Sequence, residues 1–170
     1  MATIYLSLGS NVDREASINA CLTSLHKAFG SLELSSLFDS SSVGFEGTDF
    51  YNMVVKVETT MALEALVVFL REMEYAHGRE PDAKKFSPRT IDIDLLLYDD
   101  VICDSPAQLP RDEITFNAFV LWPLSELAAE QKHPVNGKTY GDMWAAFDKS
   151  SQQLTKIPLT WTVPKEVKHL

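Results

Sequence analysis

Cysteine is scarce in this chain: Cys21 and Cys103 are the only two in 170 residues, far apart and without a C-x-x-C pair. That excludes a disulfide framework and predicts two reduced thiols in a cytoplasmic protein. Basic charge is scarce too, with 15 Lys and Arg against 24 Asp and Glu and a net charge of −9. A general nucleic-acid or membrane-surface binder would carry the opposite balance, so neither partner is expected. The N-terminus, Met1 to Leu8, lacks a basic leader and is too short for a signal peptide or a membrane span. There is no G-x-G-x-x-G and no H-E-x-x-H. Gly137-Lys138-Thr139 resembles the end of a Walker loop, but Lys132 stands where its first glycine belongs and no strand precedes it. Internal repeats, low-complexity tracts and a clean linker are also missing, so residues 1–170 read as one domain.

The composition is 45% hydrophobic with aromatics spread throughout, enough for a real core. Thr3 to Leu8 reads as a strand, closed by Gly9-Ser10-Asn11 as turn and helix-cap chemistry. Ile18, Leu22, Leu25 and Phe29 recur at helical spacing and predict a helix over 14–29, stopped by Gly30. His26, near its end, reads as surface chemistry. Leu32 to Phe38 and Phe50 to Glu58 read as strands on either side of a polar, glycine-punctuated loop. Thr60 is placed to cap a helix from about 61 to 76, with Leu63, Leu66, Val67, Leu70 and Met73 on its core face. A last strand follows Pro88. The order strand, helix, strand, strand, helix, strand predicts an α+β class: a ferredoxin-like βαββαβ antiparallel sheet with two helices on one face, plus C-terminal additions. Those additions include a short strand at 101–103, a helix over 117–126 broken near Pro123, a turn at Asn136-Gly137 and a helix from Tyr140 to Phe147.

The chemistry concentrates around Asp92-Ile93-Asp94. Alternation puts Ile91, Ile93, Leu95 and Leu97 on one face of the strand and both carboxylates on the other. Neighbouring carboxylates raise each other's cost of ionising, and a divalent cation relieves it; hard oxygens at this spacing suit Mg²⁺. A solvated acidic face has the same sequence pattern. Just upstream lie Arg79, Lys84, Lys85 and Arg89, types that bind phosphate oxygens, although Glu72, Glu74, Glu80 and Asp82 are equally near as ion-pair partners. Phe50-Tyr51-Asn52 offers a ring beside an amide that both donates and accepts, and Phe119 a second ring; together they would frame a slot for a flat heterocycle, while separately they are ordinary core residues.

Leu8-Gly9-Ser10-Asn11, Phe50-Tyr51-Asn52, Pro88-Arg89-Thr90-Ile91-Asp92-Ile93-Asp94 and Phe119-Val120-Leu121-Trp122-Pro123-Leu124 together resemble the 6-hydroxymethyl-7,8-dihydropterin pyrophosphokinase (HPPK) family. The likeness implies a core over about 3–130 and a C-terminal extension over about 131–170. It implies transfer of pyrophosphate from ATP to the pterin hydroxymethyl group with release of AMP, in folate biosynthesis. By resemblance Asp92 and Asp94 hold two Mg²⁺ ions and act in catalysis with Arg79 and Arg89. Glu74, Lys84, Lys85 and Arg111 meet ATP, and Val43, Phe50, Asn52 and Phe119 meet the pterin. The implied protein is a monomer with no nucleic-acid or membrane partner.

The chain departs from the family pattern at several places. Pro81 replaces a usual second Arg, Ser87 a small residue, and Ser40-Ser41-Ser42 a Thr-Pro-Pro-like run. Arg111 stands where a His is usual and Asn117 where an Arg is usual. Each missing charge-assisted contact removes about 1.5–3 kcal/mol. Those losses motivate an alternative: a pterin-binding paralogue with weak or no kinase activity, or one with another donor or acceptor. No residue is assigned as general base.

Overall fold

Residues 2–10 alternate in the direction of their side chains, and that alternation sorts the molecule into two cores. A computed structural model describes residues 1–40, 49–78, 91–150 and 152–164. In chain order they form β1 (Ala2–Ser10), α1 (Arg14–Phe29), β2 (Glu33–Leu34), β3 (Leu37–Asp39), β4 (Tyr51–Thr59), α2 (Leu63–Ala76), β5 (Asp92–Tyr98), a 3₁₀ turn (Asp112–Thr115), α3 (Ala118–Ala128), α4 (Tyr140–Ala146) and β6 (Thr155–Ile157). The sheet runs β5-β1-β4-β3-β6, with β2 also on β4, and every pairing is antiparallel. This is the expected α+β, ferredoxin-like arrangement. Among the described residues no helix is long and apolar enough to cross a membrane.

Ile4, Leu6 and Leu8 of β1, Met53, Val55 and Val57 of β4, and Ile93 and Leu95 of β5 face α1 and α2, which contribute Ile18, Cys21, Leu22, Leu25, Leu66, Leu70 and Met73. The opposite face carries Tyr5, Val54, Leu96 and Leu97 against Val120, Leu121, Leu124 and Ala128 of α3 and Tyr140 of α4. A fully buried aliphatic side chain stabilises a fold by about 1.5–3 kcal/mol, so both faces contribute to holding the sheet. At its Asn52 and Asp92 end the second face turns polar, with Phe119 and Val120 of α3 across a gap.

Leu97 lies on the α3 side, not with Ile93 and Leu95. The β1–β5 register shifts between Tyr5 and Leu6, which pair with Leu97 and Leu95. That bulge at Leu96 inverts the alternation beyond it. The strand expected over 32–38 is two short ones. The Ser35 hydroxyl accepts the Val54 N–H at 2.8 Å, and Ser36 turns its N–H and hydroxyl to Glu126. Thr60 does not cap α2: its N-cap is Ala62, while Thr59 Oγ1 accepts the Met61 N–H. Asn11 likewise gives way to Asp13 as the α1 N-cap, in left-handed backbone at φ 43°. The helix around Pro123 is not broken. Pro123 is buried within α3, and burial of its neighbours outweighs the roughly 3 kcal/mol that an internal proline costs. The segment 101–103 gives only an isolated bridge, Cys103 to Leu109. Thr139, the last residue of the rejected Walker-like run, caps α4 by accepting the Asp142 N–H at 3.1 Å.

The turn at 133–137 carries a pH prediction. His133 is buried, and its Nδ1 accepts the N–H groups of Val135 and Asn136, both at 3.2 Å. Burial lowers its pKa from the ordinary value near 6.5. A depressed histidine pKa means that the folded state takes up its proton less readily than the unfolded chain. The stabilisation is complete above the unfolded pKa and is lost as pH falls below about 6.5 toward the folded value. His77, also lowered by burial, acts in the same direction. Calorimetry from pH 8 to 5 is expected to show a falling melting temperature whose slope is shallower in His133→Gln. Equal slopes would remove His133 from this account.

Candidate active site

Three strands meet in register where β1 ends. Gly9 pairs with Asn52 on one side and Asp92 on the other, and Ser7 pairs with Val54 and Asp94. All six therefore share the face toward α3. A Cβ on Gly9 would stand 3.2 Å from Asn52 Oδ1 and 3.9 Å from Phe50 Cδ1, so the missing side chain leaves open the floor between amide and ring. Above it lies a cavity of about 270 Å³ bordered by Phe50, Asn52, Asp92, Asp94, Glu113 and Phe119. The two rings and the buried amide that the sequence marks for a flat heterocycle thus border one space.

A second cavity, about 640 Å³, runs along the outer edge of β5. Val67, Leu70, Arg71, Glu74 and Tyr75 of α2 border it on one side, and Gln108 and Arg111 on the other. Asp92 and Asp94 border both cavities. Glu74 has a structural task in addition: its Oε2 accepts the Ile93 N–H at 2.9 Å, satisfying an outward donor of the edge strand. Cys21, buried behind it, has its thiol pushed up to about 12 by desolvation and by Glu74.

Arg111 approaches Asp94, with Nη2 3.7 Å from Oδ1, but its firmer partner is Glu113, whose Oε1 accepts from Nη2 at 2.8 Å and Nε at 3.0 Å. Burial works against the Arg111 charge, yet Asp94, Glu113 and Asp112 outweigh it and its pKa is raised. Asn117 donates to Glu113 Oε2 at 2.7 Å. Sequence reasoning missed Glu113, because its place between Arg111 and Asn117 becomes a shared one only once 112–115 wind into a 3₁₀ turn. Gln152 was also missed. Its side chain accepts the Ala118 N–H and donates to the Phe116 carbonyl, both at 2.8 Å, tying the start of α3 and hence Phe119 to the C-terminal extension. Nothing local in sequence signals that contact, which spans 34 residues.

Of the sequence-marked residues, Asp92, Asp94, Phe50, Asn52, Phe119, Glu74 and Arg111 come together at the two cavities. Val43, Arg79, Lys84, Lys85 and Arg89 lie outside the described residues. No cluster of three or more His, Cys, Asp or Glu that could hold a metal occurs among the described residues. Two carboxylates at the junction fit a hard cation such as Mg²⁺, which commonly takes one or two carboxylates and completes its shell with water and substrate phosphate.

A family model described as 7,8-dihydro-6-hydroxymethylpterin-pyrophosphokinase (HPPK) matches residues 5–129. A 2-amino-4-hydroxy-6-hydroxymethyldihydropteridine pyrophosphokinase of Aquifex aeolicus is 35% identical over 141 residues, 81% of this chain and 88% of that protein. The folic acid synthesis protein fol1 of Schizosaccharomyces pombe is 33% identical over 154 residues, 88% of this chain but 20% of that protein. An HPPK-DHPS of Plasmodium falciparum, crystallised with pteroate, superposes with a TM-score of 0.68 at 14% identity. It covers 85% of this chain and 42% of that one, a likeness of fold. On the family match and the Aquifex relative, the chain belongs to the 7,8-dihydro-6-hydroxymethylpterin-pyrophosphokinase family.

Proposed function

We propose that the chain transfers pyrophosphate from ATP to the hydroxymethyl group of 6-hydroxymethyl-7,8-dihydropterin and releases AMP, the activity of its family in folate biosynthesis. The observation that carries the assignment of the site is that Asp92 and Asp94 border both cavities at once. The smaller cavity takes the pterin, stacked between Phe50 and Phe119 with its polar edge on Asn52. The larger one, on the side where the chain runs into the basic segment 79–89, takes ATP against Arg111 and the α2 residues. The acceptor oxygen then faces the β-phosphorus across the acidic pair. The bond formed is from that oxygen to phosphorus, AMP leaves with the bridging oxygen, and the hydroxyl proton passes to solvent.

Asp92 and Asp94 would hold two Mg²⁺ ions, which supply the charge that neutralises the transferring group. The protein itself contributes position. It holds two substrates on either side of one strand and excludes water from the pterin slot. Arg79, Lys84, Lys85 and Arg89 face the triphosphate in this reading, and the Val43 backbone meets the pterin. In this reading the protein acts as a monomer, and the two free cysteines support a cytoplasmic setting. Family membership with the acidic pair and both rings retained favours the kinase over a pterin-binding paralogue.

Incubation with ATP, Mg²⁺ and 6-hydroxymethyl-7,8-dihydropterin is expected to release AMP in step with pterin pyrophosphate. No turnover with all three present would overturn the assignment.

A further inference from the structure

Arg111 and Asn117, six positions apart, meet on one side chain. Glu113 accepts Arg111 on Oε1 and Asn117 on Oε2, so both its oxygens are engaged and the carboxylate cannot turn without giving up a contact. The Arg111 backbone is fixed as well, because its N–H donates to the Leu96 carbonyl on β5 at 3.0 Å. Only the guanidinium is left to move. It lies between two acids, at 2.8 Å from Glu113 and 3.7 Å from Asp94.

From this geometry we infer that Glu113 is a positioning residue that keeps Arg111 from closing beyond its 3.7 Å ion pair onto Asp94, and that Asn117 holds Glu113 in place to do so. An arginine closed on Asp94 would be an internal cation competing with the divalent ion for the same carboxylate. Drawn 2.8 Å onto Glu113, the guanidinium stays beside the triphosphate cavity while Asp94 keeps its place at the junction. On this view the Asn117 amide steadies the acid that restrains the cation at 111. The inference rests on the reading of Asp94 as a metal ligand.

Mn²⁺ is the probe, measured by paramagnetic resonance on nucleotide-free protein. Glu113→Gln should bind Mn²⁺ about tenfold more weakly than the parent, since its guanidinium can close on Asp94. Removing the competitor should cancel that loss: Arg111→Gln and Glu113→Gln/Arg111→Gln should bind alike, and at least as tightly as the parent. Asn117→Ala, which leaves the charges unchanged, should fall between the parent and Glu113→Gln, and it serves if Glu113→Gln does not fold. A general loss of structure would not be rescued by a second substitution. The inference is overturned if Glu113→Gln matches the parent, or if its loss persists undiminished without Arg111, in which case Glu113 acts by its own charge. Should Glu113→Gln not fold, Asn117→Ala binding as tightly as the parent overturns it. Parent protein that takes up no Mn²⁺ overturns the metal-site reading with it, whereas parent binding with insensitive variants sinks this inference alone.

Discussion

Asp94→Asn is expected to lower kcat for AMP release by at least about a thousandfold while leaving the protein folded. The substitution keeps the shape of the side chain, which is 39% exposed and opposite Ser7, away from the aliphatic core. What changes is one negative charge at the junction of two cavities. A neutral amide is a poor ligand for a hard cation. Stabilisation of the transferring phosphoryl charge amounts to several kcal/mol, and each 1.4 kcal/mol is a factor of ten in rate. Glu113 still holds Arg111 in the variant through contacts that Asp94 does not make. A lost fold is therefore not the expected cause, and an unchanged melting temperature would establish that. The paired measurement is binding of a non-hydrolysable ATP analogue with and without Mg²⁺. The parent should bind more tightly with the ion, and the variant should show little difference. If a tenth of parental turnover survived, the role given to the acidic pair would be wrong.

Period and punctuation carried most of the fold into view at the level of sequence. The helix over 14–29 is found with the same ends because its apolar spacing and Gly30 agree, and Gly30 takes φ 84°, a positive value that favours glycine. The acidic pair was legible for the same reason: alternation along β5 separates Asp92 and Asp94 from Ile93 and Leu95 whatever the rest of the chain does. Readings that failed depend on distant partners. The bulge that turns Leu97 over is set by β1, the break at Ser35-Ser36 by Val54 and Glu126, and the continuity of α3 through Pro123 by burial against the sheet. The pairing of β6 with β3 brings together segments more than a hundred residues apart, and nothing in the local pattern around Thr155 announces it. In the site, side chains on regular strands could be placed on their face from sequence. Glu113 and Gln152 could not, because each acts through a neighbour whose position is fixed only by the tertiary fold.

Asn52→Leu should separate acceptor recognition from phosphoryl chemistry. Asn52 is 6% exposed, beside Gly9 on the cavity floor, and leucine repeats its branched four-atom skeleton with bulkier methyl ends, so the wall is expected to keep its outline. It would present apolar atoms to a heterocycle edge that carries both donors and acceptors. Desolvating that edge without partners costs about 1–3 kcal/mol for each group left unmet, so two unmet groups weaken pterin binding by a factor of roughly 30 to 10⁴. The larger cavity does not include Asn52, so the affinity for the ATP analogue should be unchanged. That asymmetry is the test. A large rise in pterin KM with intact nucleotide binding places the amide on the acceptor alone. An equal loss for both ligands would mean that the two cavities do not divide the substrates as assigned. The Gly9 floor offers an independent check on the same wall, because a methyl group there crowds Asn52 Oδ1 at 3.2 Å while only touching the ring of Phe50 at 3.9 Å. Gly9→Ala should therefore weaken pterin binding in the same direction without removing a single hydrogen-bonding group, as expected for a substrate stacked on the Phe50 ring with its edge on the displaced amide.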